Sequence, residues 1–249
     1  AANPTCLTGQ TWIWKVMPVF LLSEELVFPP VHLAAEGGLL AMGGDLSTKR
    51  LLLAYGQGIF PWYSGDEPIL WWSPDPRLVL HPEEIRVSKS LQRALNKALF
   101  HVTMDKAFDR VIQACAQSRI KSGESTWIVE DMIQAYNRLH EDGFAHSVEA
   151  WQGGELAGGL YGVSLGGCFF GESMFTRVSN ASKVAFAHLA RQLADWSFKL
   201  IDCQVTTGHL MRFGAREVPR TAFMDLLNQS MRMSTRRGKW AFDAEDRRE

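Results

Sequence analysis

Two carboxylates stand inside apolar, strand-like runs of this sequence: Asp202 in KLIDCQV and Glu172 in CFFGESMF. A carboxylate in such a run is costly to bury unpaired, so each either holds a structural partner or does chemistry. Strand alternation points Asp202 and Gln204 to one face and Cys203 to the other. Asp202 on that face is either a structural hydrogen-bonded carboxylate or a catalytic one, and the thiol is left as core. Glu172 suits an amine or a cation, or else a buried ion pair with one of the arginines. Trp62, Trp71 and Trp72 crowd into YGQGIFPWYSGDEPILWWSPDPR, a Gly- and Pro-rich segment from Tyr55 to Arg77. Rings in such a segment either fill a small core or form a stacking platform, which is worth roughly 1–3 kcal/mol per nucleobase. Lys89, Arg93 and Lys97 recur every four residues along one helical face. That face is either simply solvated or suited to a phosphate backbone.

The bounds on this chemistry are broad. A chain of 249 residues with 46% hydrophobic and 21% charged residues reads as ordinary globular protein of one or two domains. No run approaches the roughly 18 apolar residues of a membrane helix. TWIWKVMPVFLL is short, is interrupted by Lys15 and Pro18, and lacks the pattern of a secretory signal. Residues 1–16 read as detached from the rest of the chain, with Met17 as a natural start. Cys6, Cys115, Cys168 and Cys203 are scattered without zinc spacing, which fits free thiols in a reducing cytoplasm. The seven histidines show no metal spacing, and His140 and His146 read as structural. There is no GxSxG elbow, no P-loop and no GxGxxG after a strand. Net charge is −1, yet Arg77 to Lys121 holds nine Lys or Arg against four Asp or Glu, so any contact with nucleic acid is a local patch.

The elements that must position these residues fall into two stretches. To about residue 76 the chain reads as loop with one helix, capped by Asp45 or Ser47 and closed near Gly56–Gly58. Beyond Pro76, Ser88 caps a helix to about Lys97, FHVTM is a strand, and Asp105 caps a helix carrying Phe108, Val111, Ile112 and Cys115. Another amphipathic helix runs around Met132, Ile133, Tyr136 and Leu139 to Gly143. AHSVEAW, ELAGGLYGVSL and CFFGESMF form an antiparallel meander joined by Gly-bearing turns. Next come a long helix with Phe186, Leu189, Leu193 and Trp196, the strand KLIDCQV, a short helix, the strand-like REVPR and a helix from about Arg220 to Ser230. The residues after Ser230 read as a charged, mobile tail. Together these make a mixed α/β domain around one central sheet.

GGDLS, GIFPWYS, ILWWSPDPR, TWI, AYNRLH, AHSVE, GGLYGV, GESMF, NASK and LIDCQV succeed one another in an order that closely resembles the bacterial leucyl/phenylalanyl-tRNA–protein transferase family, from about Met17 to about residue 230. The resemblance implies a small N-terminal domain over 17–76 and a larger GNAT-like acyltransferase domain over 77–249. It implies transfer of Leu or Phe (also Met) from aminoacyl-tRNA to the N-terminal Arg or Lys of a protein, creating an N-degron. Aminolysis of an ester needs placement and proton removal, so neither metal nor redox cofactor is expected. By similarity, Asp202 is the base or proton relay, Gln204 orients amine and ester, and Glu172 holds the acceptor's amino or basic group. Trp62 and Trp127 match tryptophans at the terminal-adenosine site; Leu160, Phe169 and Leu189 line the side-chain pocket. Lys89, Arg93 and Lys97 meet the tRNA backbone. A cytoplasmic monomer without membrane contact is expected.

Three details strain the resemblance. Phe169 and Glu172 can share a cavity only if their strand bulges near Gly171. Thr207 stands where the family usually has Asn, and Leu189 where an aromatic can occur. Two rivals remain: a CoA-dependent N-acyltransferase, against which RVSNASK lacks the glycines of a pyrophosphate turn, and a non-catalytic tRNA- or peptide-binding adaptor.

Overall fold

The computed structural model describes residues 19–65, 67–121 and 128–243. Its first stretch is more regular than the sequence suggests. β1 (Phe20–Leu22), β2 (Leu39–Gly43), α1 (Thr48–Gly56), β3 (Phe60–Pro61) and β4 (Leu70–Trp72) include a four-stranded sheet in the order β1-β2-β4-β3. Strands of two to five residues are too short to show an alternating pattern, which is why this stretch reads as loop. The single helix is where its cap places it, with Ser47 Oγ accepting the Arg50 N–H.

The second stretch opens with β5 (Arg77–Leu80), α2 (Lys89–Asn96), β6 (His101–Met104), α3 (Phe108–Lys121) and α4 (Glu130–Glu141). β7 (Ala145–Gln152), β8 (Glu155–Leu165) and β9 (Cys168–Thr176) form the meander, and α5 (Ala181–Asp195) crosses to β10 (Leu200–Gln204). α6 (Gly208–Met211), β11 (Arg216–Val218) and α7 (Arg220–Ser230) complete the elements. The resulting seven-stranded sheet has the order β11-β5-β10-β9-β8-β7-β6, and its strands pair antiparallel except β9 with β10. A helical crossover is what a parallel pair requires, and α5 supplies it. The molecule is mixed α/β.

Strand alternation sends successive side chains into two apolar clusters. Phe170 joins Tyr55, Trp71, Phe108, Tyr136 and Phe223 on one side, where the small sheet also packs. Phe169 joins Leu91, Phe186, Leu189, Ile201 and Trp240 on the other.

Two sequence expectations need correction. Asp105 does not cap α3: it is buried at φ 53° and accepts hydrogen bonds from Ser147 N, His146 Nδ1 and Trp240 N. Nor are the residues after Ser230 loose as far as they are described. Trp240 and Phe242 are buried, the Trp240 ring stacks on His146 at 3.7 Å, and Asp243 accepts from Gln192 and Trp196. Aromatic side chains spaced among charges were the missed signal. His146 is structural, locked between Asp105 and Trp240.

Candidate functional site

The site lies where β9 and β10 part. Their parallel pairing runs from Cys168 with Leu200 to Phe170 with Asp202 and stops there. Each strand then carries an extra residue against its other neighbour. Opposite β8, Tyr161 pairs with Ser173 and Gly162 with Gly171, leaving Glu172 as the bulge. Opposite β5, Val79 pairs with Asp202 and Leu78 with Gln204, leaving Cys203 as the bulge, with Gln204 at φ 60°. Bulges bend a strand and re-aim its side chains. The gap between them is a cavity of about 260 Å³ lined by Glu172, Ser173 and Gln204 on its polar side and by Leu160, Phe169 and Phe186 among its apolar walls.

The bulge expected beside Gly171 is thus present, and it turns Glu172 into the same cavity as Phe169. There Glu172 accepts three hydrogen bonds. Tyr55 Oη donates to Oε1 at 2.8 Å, Gln204 Nε2 to Oε1 at 2.8 Å and Tyr136 Oη to Oε2 at 3.0 Å. The two phenol oxygens also touch each other. Burial pushes the Glu172 carboxyl up to about 7, outweighing the three hydrogen bonds that favour its charged form. Burial, with Glu172 next, pushes both phenols well up, so they remain protonated donors.

Asp202 is elsewhere. The extra residue at Cys203 breaks the alternation that would have set Asp202 beside Gln204. Asp202 is fully buried and faces Arg77, whose Nε and Nη2 donate to its two oxygens at 2.8 and 2.6 Å. Gln204 N–H donates to Oδ1 at 2.9 Å. Arg77 in turn lies over Phe60 and Phe223 and donates to Gly58 O. This clamp holds Asp202 outside the cavity lining, away from where it was expected to face the reacting groups. Cys203 is core as expected, buried in the same apolar cluster as Phe169, and also borders the cavity. Burial pushes the Cys203 thiol up, so a thiolate is not available there.

The other expected residues divide between cavity, core and surface. Leu160 and Phe169 line the cavity. Leu189 is buried in the same apolar cluster without reaching it, and Phe186, one turn earlier on α5, lines it instead. Trp62 is exposed, 5.7 Å from Trp72, whereas Trp71 is core, so the three rings of that segment divide between surface and core. Trp127 lies outside the described residues. Lys89, Arg93 and Lys97 are all exposed along and just after α2. Thr207 lines the cavity and caps α6 by accepting from Leu210 N, a task Asn performs equally well. Tyr55, Tyr136, Arg77, Ser173 and His209 were not foreseen as site residues. Ser173 Oγ and His209 Nε2 line or adjoin the cavity and have no hydrogen-bond partner among the described residues.

This arrangement, an apolar chamber with a hydrogen-bonded acid and amide beside it, can hold an aliphatic or aromatic side chain while presenting a polar group for proton transfer. Comparison with known proteins decides which chemistry that is. The family model for leucyl/phenylalanyl-tRNA protein transferase matches residues 79–228, and that for its N-terminal domain matches 44–75. The chain belongs to the leucyl/phenylalanyl-tRNA–protein transferase family. Relatives of that name include one from Desulforapulum autotrophicum, 57% identical over 226 residues covering 91% of this chain and 99% of the relative. Another, from Syntrophobacter fumaroxidans, is 61% identical over 215 residues covering 86% of this chain and 92% of the relative. As a member of this transferase family the chain is an enzyme, an aminoacyltransferase. Among solved structures, that of L-PGS from Bacillus licheniformis aligns over 82% of this chain and 67% of its own at 8% identity and a TM-score of 0.37, which carries no argument about fold.

Proposed function

We propose that this transferase moves Leu, Phe or Met from aminoacyl-tRNA to the N-terminal Arg or Lys of a protein, producing an N-degron. The observation that carries the reading is the cavity itself. Leu160, Phe169 and Phe186 offer apolar walls for the transferred side chain, and Glu172 and Gln204 stand beside them for the amine and the ester. A methylene gained or lost in such a chamber changes binding by roughly 1–3 kcal/mol, enough to separate large apolar side chains from small ones.

The acceptor α-amine attacks the ester carbonyl, the C–N bond forms, and the ester C–O bond to the terminal ribose breaks. Its nitrogen must lose a proton on the way, and that transfer needs a hydrogen-bonded acceptor rather than a metal or redox group. Gln204 orients amine and ester, and Glu172 holds the amine. Asp202 acts through its neighbours, fixing Arg77 and the backbone of Gln204. Trp62 and Trp127 stack on the terminal adenosine, and Lys89, Arg93 and Lys97 contact phosphates without reading bases. The order of a β-meander, a crossover helix and a parallel strand that parts from its neighbour supports a GNAT-like larger domain. The enzyme works as a cytoplasmic monomer.

Incubating the protein with Leu-tRNA or Phe-tRNA and a peptide beginning with Arg tests this directly. The expected product is the peptide heavier by one residue. No gain with either tRNA, or acetylation of the peptide from acetyl-CoA instead, overturns it.

A further inference from the structure

We propose that Glu172 takes the proton shed by the attacking amine, and that Tyr55 and Tyr136 close around it a ring of oxygens with one vacant proton position. This rests on the aminolysis reading above and assigns its proton acceptor.

Counting protons leads there. Three oxygen–oxygen contacts join Tyr55 to Tyr136, Tyr55 to Glu172 Oε1 and Tyr136 to Glu172 Oε2. Each contact is held by one hydrogen, and a hydroxyl hydrogen turns to whichever partner needs it. While Glu172 is ionised the two phenols supply two hydrogens for three contacts, so one contact sets oxygen lone pairs against each other. A third hydrogen, on Glu172, fills the ring: Oε1–H donates to Tyr55, Tyr55 to Tyr136, and Tyr136 to Oε2. The cluster is built to receive one proton and to release it.

Position agrees with the count. Glu172 lines the cavity, and Asp202, the neighbouring acid, does not. Among the described residues Oε2 accepts from Tyr136 alone, and a carboxylate oxygen has room for a second donor, here the amine. The groups around Glu172 are Tyr55 from α1, Tyr136 from α4, Gln204 and Asp202 from β10, Tyr161 from β8 and His209 from α6. Arg77, the nearby cation on β5, is committed to Asp202. Among the described residues no Lys or Arg forms an ion pair with Glu172, so nothing pins it in its charged form. Burial raises this carboxyl to about 7, where it exchanges protons near neutrality.

The step balances. The amine nitrogen attacks the ester carbonyl and passes one N–H hydrogen to Glu172 as the C–N bond forms. The C–O bond to the ribose breaks, Glu172 returns that hydrogen to the departing ribose oxygen, and the ring ends as it began.

The test is kcat for Leu transfer at saturating Leu-tRNA and Arg-peptide, measured from pH 5 to 9. The native enzyme is expected to show an acid limb near the Glu172 value. Glu172→Gln, nearly the same shape, is expected to lose that limb and about 10²–10⁴ in kcat while still binding tRNA. Tyr55→Phe and Tyr136→Phe each break the ring of oxygens that holds Glu172, so each is expected to displace the limb from its native position. This second readout holds even if Glu172→Gln folds poorly. A limb that persists in Glu172→Gln, that ignores the tyrosines, or that tracks the α-amine pKa across two acceptor peptides overturns the proposal. Absence of transfer by the native enzyme overturns instead the functional reading beneath it.

Discussion

Glu172 also leaves a signature on folding, independent of turnover. Its carboxyl titrates near 4.5 in the unfolded chain and about 7 when buried. Between those values the folded state holds the extra proton, so its stability is full below about pH 4.5 and falls as pH rises toward 7, by about 3 kcal/mol. Burial also raises Glu149, with the same sign, and lowers His146, with the opposite one. The clean measurement is therefore a difference: urea midpoints at pH 5 and pH 7.5 for native protein and Glu172→Gln, with the variant showing the shallower dependence. Asp202→Asn is expected to behave otherwise. It strands a buried Arg77, a loss of about 3–5 kcal/mol, so the unfolding midpoint drops, and turnover falls with the folded fraction rather than beyond it. Equal stability with lost turnover would return Asp202 to the chemistry. At this scale the sequence made Glu172 and Gln204 legible as polar residues inside apolar strand-like runs, whereas Leu160 and Phe169 came from the family resemblance and line the same cavity. It hid Asp202's true facing because one extra residue at Cys203 shifts the register. It hid Tyr55 and Tyr136 because they meet Glu172 across 117 and 36 residues of chain respectively.

Among the elements, helices announce themselves by caps and stripes. Ser47 caps α1 and Ser88 caps α2, and α2 buries Leu91 and Ala94 while its basic residues stay outside. The meander is equally plain, since Gly153–Gly154 and Gly166–Gly167 mark its turns. The short strands of the small sheet and β5 are not, because pairing partners rather than period define them. The bulge on β9 was foreseen only because two residues on opposite faces had to meet. Its integrity depends on Gly162: a Cβ there would lie 2.2 Å from Phe170 O and 2.6 Å from the Phe169 ring. Gly162→Ala is therefore expected to cost at least about 1–3 kcal/mol and to displace Phe169, changing the ratio of Leu to Phe transferred. An unchanged ratio in a folded variant would show that the bulge does not shape the chamber. Thr207→Asn keeps the α6 cap and is expected to keep transfer, whereas Thr207→Ala loses the cap, about 1 kcal/mol, measurable by thermal melting.

The whole molecule is drawn together by its last described segment. Thr235 accepts from Gly166 N, Gly238 donates to Gly143 O, and Trp240 donates its N–H to Asp105 while its ring sits 6.1 Å from Phe169. The strap thus runs behind the wall of the chamber. Trp240→Ala removes a buried ring, a loss of about 3–5 kcal/mol, and is expected to lower the melting temperature by on the order of 10 °C. It should also loosen discrimination among Leu, Phe and Met, read in competition between the charged tRNAs. Intact selectivity would confine the strap to stability. The opening between β9 and β10, for its part, is framed by main chain that has already diverged, together with Val205 and Thr207 of the segment that follows β10. Phe186 and Met174 line the chamber that its acid and amide also border, so on the proposed reading exchanging either is expected to shift the preferred side chain while leaving the reaction in place.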